Sequence, residues 1–168
     1  GTIRKFSANV FRFDTWLFNR QVVVEWHSDL LYNVIMNDVG EISKKLKSLF
    51  EKHAEIGVVY LFGSQAKGLA TGRSDYDFGI YFTDKNPINR NRLLFDVASE
   101  ISKVLATDQI DAHSINDIES PELKYQIISQ GQVLFDREPN RLILEPRILN
   151  EYFDFTYLLK KYHLTKAQ

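Results

Sequence analysis

Residues 58–62 read VVYLF, an unbroken apolar run with Gly57 before it and Gly63 after it. A strand with one face in water alternates apolar and polar residues. A run with no polar position fits a strand covered on both faces. Such a strand calls for a sheet with helices on either side, and the rest of the chain supplies both. Ile42, Leu46, Leu49, Phe50 and His53 recur at helical spacing, which predicts an amphipathic helix over about Val39 to Ala54. DYDFGIYF (75–82) reads as a second strand, and Asn86-Pro87 as a turn. Leu94, Val97, Ala98, Ile101, Val104 and Leu105 predict a helix over about 89–106. QIDAHSI (109–115) and QVLFD (132–136) read as further strands. Between them Ser120-Pro121 opens a helix that stops at Gly131. A last helix, about 141–163, is expected to bend or restart at Pro146. Strands alternating with helices predict the α/β (α+β) class.

Bulk properties exclude several functions. The 168 residues are 44% hydrophobic with a net charge of −1, so the chain is neither disordered nor drawn globally to nucleic acid. There is no cysteine, which rules out disulfides and thiolate metal sites and makes a reducing cytoplasm the simple expectation. No apolar run reaches the length of a membrane span. Both tryptophans, Trp16 and Trp26, fall in residues 1–35, ahead of the sole methionine, Met36. Two units result: an N-terminal extension (1–35) and a domain (36–168). A native edge strand is the equally weighted reading of the first. Arg4, Arg12 and Arg20 among aromatics, with no small-residue cleavage site, argue against a secretory signal.

The chemistry concentrates in FGSQAKGLATGRSDYDFGIY, residues 62–81. Side chains at i and i+2 of a strand share a face, so Asp75 and Asp77 are expected to project together, with Tyr76, Phe78 and Ile80 opposite. Adjacent carboxylates repel unless a cation lies between them, and their hard oxygens suit Mg²⁺. Asp111 stands in a mostly apolar strand, where a charge is costly unless paired or coordinating. Beside 75–82 it would complete a three-acid cluster suited to metal-assisted phosphoryl transfer. His113 shares its face; a structural role outweighs one supporting the acids. Gly63-Ser64 ends VVYLF, where glycine allows close approach to a ligand and the serine hydroxyl can meet a phosphate. The loop QAKGLATGR adds the cations Lys67 and Arg73. A P-loop, a zinc motif and a nucleophile elbow are all missing from the sequence.

GSQAKGLATGRSDYDFGIY together with QIDAHSI closely resembles the minimal nucleotidyltransferase (MNT) group of the DNA polymerase β superfamily. Its pattern of Gly-Ser, ten residues, Asp-x-Asp and a later acid falls on Gly63, Ser64, Asp75, Asp77 and Asp111. The likeness runs from about Met36 to the C-terminus and includes ESPELKYQIISQGQVLFDRE and ILNEYFDFTYLLKKYH. It implies a polymerase-β-type fold, a central mixed sheet of about four strands flanked by helices. It also implies a triphosphate held by Gly63 and Ser64, with Lys67, Arg73 and Ser74 as further nucleotide-binding candidates. Mg²⁺ would be held by Asp75, Asp77 and Asp111, with Asp111 helping to activate the attacking hydroxyl. Lys67 departs from the arginine of many relatives, keeping the charge but not the planar fork. Such proteins often serve as antitoxins that move AMP from ATP to a tyrosine of a HEPN-family toxin. Membrane and direct nucleic-acid partners are not expected, and self-association is left open. The alternatives are a non-catalytic, nucleotide-binding antitoxin that masks its target, and a small-molecule adenylyltransferase. Tyr152, Phe155 and Leu159 share one face of the last helix and are expected to pack; the other aromatics there are candidates for partner binding.

Overall fold

The computed structural model describes residues 39–67 and 74–164. The extension 1–35, Met36 and Arg73 lie outside the described residues. Helix α1 covers 39–52. It is followed by β1 (Ile56–Phe62), α2 (Gly63–Ala66), β2 (Tyr76–Phe82), α3 (Pro87–Leu105) and β3 (Ile110–Ser114). A 3₁₀ turn (Ile115–Asp117) then leads to α4 (Pro121–Gln130), β4 (Gln132–Asp136) and α5 (Asn140–Lys161). The strands form one sheet in the order β3-β2-β1-β4. β1 is antiparallel to β2 and β4, and β2 is parallel to β3. The expected mixed sheet of four strands is present.

β1 is buried along its whole length, as its composition requires. Val59 and Leu61 enter one core layer with Leu46, Phe50, Val97 and Ile101, under α1 and α3. Val58, Tyr60 and Phe62 enter the other with Ile127, Leu144 and Ile148, under α4 and α5. β2 alternates to match. Phe78, Ile80 and Phe82 join the first layer, which leaves Asp77, Gly79 and Tyr81 facing α4 and α5. A Cβ on Gly79 would lie 2.9 Å from Cγ2 of Ile127, so α4 sits close against the middle of the sheet. The face of α5 expected to pack does so in part: Tyr152, Phe155 and Leu159 are half-buried, and Tyr152 stacks on Tyr125 at 4.0 Å between ring centroids.

Three boundaries differ from expectation. Asn86-Pro87 is not a separate turn but the start of α3: the Asn86 side chain accepts from the Ile88 N–H at 2.9 Å, and Pro87 takes the first helical position. β2 begins at Tyr76, so Asp75 precedes the strand. α5 is a single helix with Pro146 inside it, not two. The carbonyl left without its N–H partner is that of Leu142, an exposed residue, where water can serve it.

Side chains close the loops. The ends of α1 and β1 are joined by Arg137, whose guanidinium donates to the carbonyls of Phe50, His53 and Ile56. It also lies 5.3 Å from the centre of the Phe135 ring. At the same end of the sheet, where Phe82 of β2 is the register partner of Ile56, Asn116 pairs with both backbone groups of Phe82, at 2.9 and 3.0 Å. Next to it the buried Arg90 forms two bonds to the Asp117 carboxylate and reaches the carbonyls of Asp84 and Lys85. Among the described residues no helix is long and apolar enough to cross a membrane.

The hydrogen bonds from Arg90 hold the Asp117 carboxyl below its ordinary range; burial opposes them, and the Ser114 hydroxyl and the Arg90 charge add to the lowering. A carboxylate with a depressed folded pKa contributes stability above its unfolded pKa, about 3.9, and loses it as pH falls through the folded value. Asp117→Asn is expected to cost about 1.5 kcal/mol at pH 7, the low end for a charged hydrogen bond because its side chain is partly in water. Urea denaturation should show the gap between wild type and variant closing as pH drops below about 4. A gap that is constant with pH would exclude this ion pair as the source.

Candidate active site

The site forms where β1 ends. Gly63 leaves the strand with φ +71°, in the left-handed region that favours glycine. A Cβ at this position would overlap Oδ2 of Asp77 and lie 2.8 Å from its Cγ. The glycine therefore meets two demands, a backbone angle and the space that the carboxylate occupies. Phe62 and Asp77 are register partners across β1 and β2, and Asp77 and Asp111 are register partners across β2 and β3. The turn and two of the three predicted acids thus lie at one end of the sheet, on the α4/α5 face. Asp75 is exposed, just ahead of β2, and Asp77 feels its charge.

Burial raises the Asp77 pKa above its ordinary value; the charges of Asp111 and Asp75 raise it further, and His113 pulls the other way. Asp111 is not unpaired. Its Oδ2 is 3.1 Å from Nε2 of His113, and the His113 ring packs at 5.9 Å from the Phe62 ring. His113 thus packs on the core strand and touches Asp111, a placement that fits both a structural role and one supporting the acid. Gln65 donates from Nε2 to the Ser74 carbonyl at 3.1 Å, linking the α2 turn to the backbone ahead of Asp75. Ser64 lies in that turn and is half-buried, and Lys67 caps it at the surface. Strand alternation put His113 on the face of Asp111, since it is two residues further along, and the structure has it there. Gln65 carried no signal, because its partner is a backbone carbonyl nine residues away.

Among the described residues no three His, Asp or Glu side chains form a ready-made metal cage. Mg²⁺ does not require one, since it is usually held by one or two carboxylates together with substrate phosphates. A half-buried carboxylate whose acidic neighbours raise its pKa is an oxygen-donor set short of positive charge, and it fits a hard divalent cation.

Residues 44–140, more than half of the chain, match the model of the family described as "Polymerase beta, Nucleotidyltransferase". The chain belongs to this nucleotidyltransferase family. Its resemblance to the MNT group is matched by solved structures of similar fold. One is a toxin–antitoxin with AMP-PNP, 19% identical with a TM-score of 0.60, over 71% of this chain and 94% of that one. Another is the toxin–antitoxin MntA–HepT, 18% identical with a TM-score of 0.55, over 72% and 92%. A third is a tri-AMPylated HEPN toxin from Shewanella oneidensis in complex with MNT antitoxin, 17% identical with a TM-score of 0.56, over 74% and 94%. At these identities the likeness speaks for the fold. A search of curated proteins found no match.

In this nucleotidyltransferase domain Gly63 and Asp77 should be energetically coupled. Gly63→Ala is expected to cost about 2–3 kcal/mol, from strain at positive φ together with the overlap with Asp77. In an Asp77→Ala background the overlap with the carboxylate disappears, leaving the angular strain and a close contact of 3.3 Å with the Cβ of residue 77, so the cost should fall to about 1 kcal/mol. A double-mutant cycle by chemical denaturation measures the difference; additive costs would mean that the contact does not restrict residue 63.

Proposed function

We propose that this domain transfers AMP from ATP, with Mg²⁺, to a tyrosine hydroxyl of a HEPN-type toxin and thereby acts as its antitoxin. The observation that carries the reading is Asp77 seated between the Gly63 turn and Asp111, in a chain of the nucleotidyltransferase family. The similar structures support the finer part: one is a toxin–antitoxin with AMP-PNP, and another is an AMPylated HEPN toxin with its MNT antitoxin.

In this reading Gly63, Ser64 and the residues around the turn position the triphosphate, with Lys67, Arg73 and Ser74 as further contacts. Asp75, Asp77 and Asp111 would hold Mg²⁺, which when bound neutralises charge on the phosphates. The acceptor oxygen attacks the α-phosphorus, the bond to the β-phosphate oxygen breaks, and pyrophosphate leaves. Asp111 receives the acceptor's proton. Its contact with His113 fixes the rotamer in which it waits. Gln65 keeps the backbone before Asp75 against the α2 turn. The missing side chain of Gly63 lets the Asp77 carboxylate lie directly against the turn.

Incubation with Mg²⁺, labelled ATP and the cognate partner should label the partner. Asp75→Asn or Asp77→Asn is expected to reduce labelling by about 10²–10³-fold with the fold retained. Neutralisation of the toxin without any label transfer would favour masking instead.

Asp111→Asn separates binding from turnover. As the proton acceptor it should lose about 10²-fold or more in rate, with ATP affinity changed by less than about threefold. Equal losses in rate and affinity would make Asp111 a ground-state ligand and refute its role as base.

A further inference from the structure

We propose a second binding site, for a small phosphomonoester with an apolar body, at the end of β2 far from the acids. A cavity of about 380 Å³ lies there between the C-terminal end of β2, the 3₁₀ turn and α5. That volume is within the range of small-molecule sites. It shares the α4/α5 face with Asp77, but Tyr81 on its wall is four residues further along β2, a distance of ~13 Å. Ile127 of α4 packs against Gly79 between the two places, so one small ligand cannot bridge them under the helix.

The chemistry of the walls defines the ligand. Ile115, Leu144 and Ile148, buried side chains of the α4/α5 layer, line the cavity and give it an apolar floor. Four cations and two acids also line it: Lys85, Arg90, Lys124 and Arg147 against Asp84 and Glu151. Most of these charges are already committed. Arg90 is bonded to Asp117, and Lys124 to Glu151 at 2.9 Å. The Asp84 carboxylate accepts from the Asn86 N–H and the Asn89 side chain. Among the described residues the side chains of Lys85 and Arg147 have no hydrogen-bond or ion-pair partner. Two uncommitted cations at the rim of an apolar floor suit a doubly charged head on an apolar body. An arginine fork paired with a lysine point charge is the combination that suits a phosphate.

The proposal does not depend on the transferase reading, and its test is run without divalent metal so that the two fail separately. The full chain is titrated with phenyl phosphate in the presence of a chelator and followed by ¹H–¹⁵N spectra. Shifts are expected at Thr83, Asp84, Lys85, Asn116 and the α5 turn around Arg147, with saturation near about 1 mM. The combined Lys85→Gln and Arg147→Gln variant should bind at least about tenfold more weakly. Inorganic phosphate or phenol alone should each bind about tenfold more weakly than the joined molecule. Both substituted side chains are exposed, and a melting curve matching wild type establishes that the variant is folded. Shifts centred on Gly63–Ala66, unchanged affinity in the double variant, or no saturation by about 10 mM would each overturn the proposal.

Discussion

The fold depends on the burial of β1 from both sides. A strand with every side chain out of water needs backbone partners on both edges and a helical layer on both faces. β2 and β4 provide the edges, and α1 with α3, and α4 with α5, provide the layers. A strand pinned in this way has a fixed end, and the residue at that end is Gly63. The position of the candidate site is a consequence of the core.

Carboxylates in this molecule are treated in two opposite ways. Asp117 is met by a buried guanidinium and is held in its charged form. Asp77 is half-buried beside other acids, and its charged form is disfavoured. Arg90 with Asp117 closes a structural corner at one end of β2. Asp77 with Asp111 leaves the other end short of positive charge, a state that contributes nothing to folding and is the kind expected where a ligand brings the compensating charge. His113 offsets part of the deficit at Asp77, and by touching Asp111 and packing against Phe62 it ties that acid to the core strand.

Much of this arrangement was legible in residue order. Local rules were enough for the helices and strands, because apolar spacing and end signals such as Ser120-Pro121 act within a few residues. They faltered where one signal had two uses. Asn86-Pro87 serves equally well as a turn or as a helix start, and the helical segment on its C-terminal side decides between them. Pro146 reads as a break, but a proline near the exposed side of a helix frees a carbonyl that water can satisfy.

Residue order alone was enough for the sheet class, the Gly-Ser turn at the end of a buried strand, and the three acids with their spacing. Each depends on residue type and on distances along the chain, which the sequence states directly. Packing in three dimensions was needed to bring Asp111 level with Asp77 across a parallel pair, and to set the Asp77 carboxylate in the space a Gly63 side chain would need. It alone put Gln65 on the Ser74 carbonyl, and left Lys85 and Arg147 uncommitted over an apolar floor. These are relations between segments that local spacing does not connect. Strand order, register and helix placement set them, and those arise from packing the whole chain together.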